Sequence, residues 1–300
     1  MDQAGIQDRQ RTRHCMECGY RNVPYATTCS LCHKPMRHVA AAERVTFLPE
    51  APIERGHDRW LVLGLGAFFA PALGLLPLLQ YMGWFLASLF HETGHCVAAW
   101  FFGSPAYPAI RIDGHAAAFH SEQKTLLVIV VFGALLWLMW LCRARPRLRI
   151  ALGAIVVLYP LLAFTDAHEL IHLLAGHLAE LTFGGVFFSR ALAGGFTAST
   201  PERVAYACLA WFLLGRNVIM NFGLMTSEAA RQAYAGNGSF GITQDFIRAA
   251  RELGTSLGTV GFLMMVFSLA TLPVAWIVWR RHELRDDRDL ERSARARRTP

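Results

Sequence analysis

The chain has 300 residues, of which 54% are hydrophobic and only 17% charged. A soluble globular domain carries roughly 25% charged residues, so this composition excludes an ordinary solvated surface. The net charge of +7 sits in clusters (Arg9, Arg11, Arg13; Arg143, Arg145, Arg147, Arg149; Arg280, Arg281 and the tail) that flank apolar runs. That distribution argues against a basic face for nucleic acid and for cytoplasmic loops beside anionic headgroups.

The N-terminal 37 residues carry two Cys-x-x-Cys knuckles, Cys15 with Cys18 and Cys29 with Cys32, ten residues apart. Each knuckle aims two thiolates at one tetrahedral ion, and two knuckles close a structural zinc site. We read residues 1–37 as a zinc ribbon, with Gly19 in the turn after the first knuckle. It is expected on the cytoplasmic side, where it would meet a protein partner. Residues 38–59, with Pro49 and Pro52, read as a linker.

From residue 60 the chain becomes apolar. Residues 60 to 110 contain one formal charge, Glu92, and a bilayer-crossing helix needs about 20 mostly apolar residues. The expected fold class is an all-α polytopic membrane protein of about six transmembrane helices, preceded by the ribbon. The membrane domain would cover 60–279, with spans at 60–80, 83–103, 125–142, 150–172, 202–226 and 255–279, then a basic cytoplasmic tail over 280–300. Pro71, Pro77 and Pro160 should kink their helices. Between the second and third spans, Ser104 to Gln123 reads as a short hairpin or re-entrant element. Residues 227–254 read as polar and partly amphipathic. Three spans between the first two arginine clusters would place those clusters on opposite sides, in conflict with both being cytoplasmic.

The second span carries His91-Glu92-Thr93-Gly94-His95. Histidines four apart project from one helix face, the spacing two imidazoles need to share an ion. Glu92 lies about 100° round the helix, placed to take a proton from a metal-activated water. An ionisable group inside an apolar span is costly and by default suggests function.

The stretch from Phe90 through His91, Glu92, Gly94 and His95 to an alanine-rich run ending at Gly103 resembles the first motif of the site-two protease family of intramembrane zinc metallopeptidases. The surface element with Asp113 and Gly114 is similar to that of its small, minimal members. The resemblance implies zinc on His91 and His95, Glu92 as catalytic base, and hydrolysis of peptide bonds in a membrane-embedded or membrane-proximal protein. It also implies a third ligand, an aspartate in a Leu-Asp-Gly motif several spans later, and this sequence has no such motif. Ile112-Asp113-Gly114 has similar letters but follows His95 too closely.

A second constellation runs from Asp166 through His168, Glu169, His172 and His177 to Glu180, and contains another HExxH. On a helical wheel His168 and His172 are neighbours, while Asp166, Glu169, His177 and Glu180 share an adjoining stripe. This helix is expected to supply the missing ligand from Asp166, His168 or His172, or to hold a separate ion, unless it is a solvated surface helix. Asp245, in Thr243-Gln244-Asp245-Phe246, is a more remote candidate. His115 and His120 read as surface histidines near the site in sequence, or as groups that gate it or bind product. Asn217 and Asn221 read as interhelical hydrogen-bonding residues or as groups that orient substrate.

Two other functions fit the same residues. A di-iron oxidoreductase would use Glu92-x-x-His95 and Glu169-x-x-His172, and a metal-binding scaffold would keep the ions without turnover. The intact Glu92 favours hydrolysis.

Overall fold

The computed structural model describes residues 13–14, 17–18, 21–22, 28–29, 31–34, 58–111, 116–193, 199–236 and 244–296, with the backbone alone for 13–14, 21–22 and 285–296. The chain forms two units, residues 1–51 and 52–300. In the first, β1 (Arg13–His14) pairs antiparallel with β2 (Arg21–Asn22) across the first knuckle. The sulfurs of Cys18, Cys29 and Cys32 lie within 4.8 Å of one another. The Leu31 amide donates to Cys29 Sγ at 3.4 Å. Cys15, the fourth expected ligand, lies outside the described residues.

Among its described residues, the second unit is built of helices and one hairpin. α1 (Asp58–Phe69) breaks at Ala70 and Pro71, and the short α2 (Ala72–Leu75) leads into α3 (Pro77–Phe101). Pro77 opens α3 rather than kinking a span, since its missing N–H costs nothing in a first turn. After a turn at Gly103, where φ is +84° and glycine is favoured, come β3 (Ala106–Ile110) and β4 (Ala116–His120). They pair antiparallel, with Tyr107 opposite and stacked on Phe119. The hairpin expected between 104 and 123 is therefore present.

Then follow α4 (Thr125–Leu141) and α5 (Pro146–Ala163). A break at residues 164–166 precedes α6 (Ala167–Ala193), which leads to α7 (Thr200–Thr226). Next come α8 (Glu228–Gly236), α9 (Asp245–Glu252) and α10 (Leu257–Ala296). Among the described residues, six stretches are long and apolar enough to cross a membrane: Asp58–Leu75, Thr125–Ala144, Pro146–Ala163, Ala167–Ala193, Thr200–Thr226 and Leu257–Leu284. These make the chain a multi-pass membrane protein. The number matches the sequence expectation but the membership does not. The expected span 150–172 is the end of one helix and the start of another. α3 is 25 residues long, yet it is absent from the six because His91, Glu92, Thr93 and His95 lower its hydropathy.

α6 is the central element. It packs along α3 on one side and along α7 and α10 on the others. Glycine makes the closest of these approaches. A methyl added at Gly94 would collide with the Ala175 carbonyl and the Ala179 side chain, and one added at Gly176 would meet the His91 and His95 rings. Small residues at such crossings let helices approach within the membrane, where no hydrophobic force brings them together. α4 shows the opposite pattern: Val128 is its one buried residue, and the remaining apolar surface suits lipid.

Candidate metal centre

The antiparallel approach of α3 and α6 sets the histidine rings. His91 Nδ1 lies 2.8 Å from Glu180 Oε1, and His95 Nδ1 lies 2.8 Å from the His172 carbonyl oxygen. A carbonyl and an ionised carboxylate can only accept, so both Nδ1 atoms carry the proton and donate it. In the neutral rings both Nε2 atoms are then left as acceptors, and they face each other at 3.0 Å. Asp245 Oδ2 completes the group, 3.2 Å from His91 Nε2 and 3.1 Å from His95 Nε2.

Three lone pairs thus converge with no proton between them unless an imidazole is charged. A tetrahedral ion with nitrogen and oxygen ligands at 2.0–2.1 Å spaces its ligand atoms about 3.3 Å apart, close to what these residues present. Among the described residues, His91, His95 and Asp245 are one of three groups able to hold a metal.

Asp245 arrives from α9. It is the first residue of that helix, and Phe246, fully buried beside it, packs on the His177 ring at 4.3 Å and on Tyr234 at 6.0 Å. Ala249 and Ala250 bury the same face. Burial pushes the Asp245 carboxyl up in pKa; where the facing imidazoles are protonated, their hydrogen bonds and charge outweigh burial and hold it well below the usual carboxylate range.

Glu92 is 8% exposed and lines the same cavity as the three converging residues. That cavity, about 200 Å³, is walled by His91, Glu92, His95, His172 and Asp245, by Ala116, Ala117 and Ala118 of β4, and by His120, Gln244 and Arg248. The run of alanines is what lets a strand lie so near the glutamate, and the Ala118 backbone hydrogen-bonds its carboxylate.

The residues expected from the second constellation divide. His172 reaches the cavity wall and its ring centre is 5.0 Å from that of His95, but its contribution to the converging group is its carbonyl. Asp166 is exposed, and His168 turns back so that its Nδ1 meets the Thr165 carbonyl at 2.6 Å. Neither joins any of the three metal-capable groups. Glu169, needed by a di-iron site, is exposed. His177 and Glu180, placed by the wheel on one stripe with Asp166 and Glu169, are instead buried against α3. His120 borders the cavity rather than standing apart from it. His115 and Asp113 lie outside the described residues. Asn217 is buried and donates to Glu180 Oε2 at 2.9 Å; Asn221 is buried beside Ser268 at 3.4 Å. Neither asparagine lines the cavity, so neither is placed to orient a substrate there.

Asp245, a remote candidate by sequence, is the carboxylate the fold brings to the paired Nε2 atoms. Its signal was its position: the first residue of a short amphipathic helix following the fifth span. No family model matches the chain, and neither a curated protein nor a solved structure does.

Proposed function

We propose that the chain is an intramembrane zinc metallopeptidase of the site-two protease type, with His91, His95 and Asp245 as ligands and Glu92 as general base. The observation that carries the reading is the convergence of His91 Nε2, His95 Nε2 and Asp245 Oδ2 beside a buried glutamate. Two histidines and one carboxylate are a donor set used by catalytic zinc sites, which leave a coordination position open. A zinc ion held there would polarise a water molecule and the scissile carbonyl.

The residues themselves carry the remaining steps. Glu92, inside the cavity and without a competing cation at hydrogen-bond distance among the described residues, accepts the proton of the attacking water and passes it to the leaving amine. The Ala118 backbone holds its carboxylate towards the cavity. β4 and α9 narrow the mouth, so a substrate must reach the site as an unfolded stretch of backbone, since a helix of 10–12 Å diameter does not fit about 200 Å³. The N-terminal knuckles are proposed as a closed structural zinc site through Cys15, Cys18, Cys29 and Cys32, and as the handle for a cytoplasmic partner.

The same two-histidine, one-carboxylate set also suits non-haem iron, and the two readings part at Glu92. The protein in liposomes is incubated with single-span peptides, and products are read by mass spectrometry. Glu92→Gln is expected to lower cleavage by roughly 10²–10⁴-fold, the usual worth of a general base, with the ion retained. Equal cleavage by wild type and variant would sink the mechanism, and iron as the resident ion would shift the assignment to oxidation.

A further inference from the structure

Glu180 is 1% exposed in the middle of a candidate membrane span. A charge there is costly, and an apolar residue would serve packing better. Its neighbours explain how it is kept. Oε2 accepts from Asn217 Nδ2 at 2.9 Å and faces Arg216 Nη1 at 3.3 Å, both from α7. Oε1 is left for His91 Nδ1 at 2.8 Å. His177 Nδ1, buried without a hydrogen bond, is 3.7 Å from the same oxygen.

We propose that Glu180, held by Arg216 and Asn217, is the positioning residue of the metal centre, making His91 a stronger metal donor than His95. This inference rests on the metal reading above. The two imidazoles are oriented by unlike acceptors: His95 by the neutral carbonyl of His172, His91 by a carboxylate. A carboxylate behind a ligating imidazole fixes its tautomer and raises its basicity. The spacing of α6 carries both acceptors. Residues 172, 176 and 180 are one turn apart, so His172 meets His95, Glu180 meets His91, and Gly176 leaves room for both rings between them. On this reading α6 serves the ion of His91, His95 and Asp245 through the histidines of α3, while its own His177 and Glu180 form a second metal-capable group with His91.

The rival account is that Glu180 and Arg216 simply glue α6 to α7. Competition with a chelator on the full-length protein in detergent separates the two, using zinc for affinity and cobalt(II) for the visible spectrum. Glu180→Gln keeps the size and an acceptor but removes the charge. It is expected to weaken the ion that His91→Ala abolishes by about ten- to a hundredfold and to shift the cobalt bands. Asn217→Ala leaves both charges and removes one donor, so it should weaken the same ion less, by about two- to fivefold if a hydrogen bond is worth 0.5–1 kcal/mol here. It also stands in should the first variant fail to fold. Wild-type affinity and spectrum in these variants, with only the melting temperature lowered, would overturn the proposal in favour of glue. A wild type that binds no His91-dependent ion would instead overturn the metal reading, and this inference with it.

Discussion

α3 and α6 each carry an HExxH, His91 to His95 and His168 to His172, and the fold uses them differently. On α3 the motif lies deep in the helix, opposite a glycine of α6, with Glu92 and His95 buried. On α6 it begins at the second residue of the helix, where the chain has just turned at 164–166. There the His168 Nδ1 is taken up by the Thr165 carbonyl, and Glu169 faces outward. Identical spacing made both motifs geometrically able to grip an ion. What separates them is the opposing surface: among the described residues, the α3 pair meets a carboxylate, Asp245, and the α6 pair joins no metal-capable group.

The comparison can be strained hardest at the glycine between the two rings. A methyl at Gly176 would sit 2.5 Å from both His91 Nε2 and His95 Nε2. Overpacking of that kind costs about 1–3 kcal/mol, so Gly176→Ala should weaken metal binding by roughly 5- to 150-fold, measured by chelator competition. Unchanged affinity would mean that α6 does not press on the ligand pair.

The smallest effects are expected at the α6 motif. His168→Ala and Glu169→Gln should leave metal content and cleavage unchanged, and stability within about 0.5 kcal/mol, as for surface substitutions elsewhere. Loss of an ion in either variant would revive a separate site on α6.

Much of this was legible in the chain. The apolar runs set the helices, and alternation with prolines set the hairpin at 106–120. His91, Glu92 and His95 could be singled out as candidates because an HExxH spacing is local in sequence and lone polar groups stand out in a span. Asp245 was hard to weigh because Thr243-Gln244-Asp245-Phe246 lacks a recognisable motif, and its meeting with α3 depends on Phe246 burying against His177 and Tyr234. Likewise the wheel could not divide Glu180 from Glu169, since which side of α6 meets α3 is decided by Gly176, Ala175 and Ala179. Periodicity identifies a face; it does not say what the face will touch.

The central claim is that Asp245, rather than a group on α6, completes the ligand set with His91 and His95. Elemental analysis of purified wild type, Asp245→Ala and Asp166→Ala tests it most directly. The account predicts that Asp166→Ala keeps the wild-type metal content while Asp245→Ala loses the one ion that His91→Ala also loses. Retention of that ion in Asp245→Ala with its loss in Asp166→Ala would contradict the account.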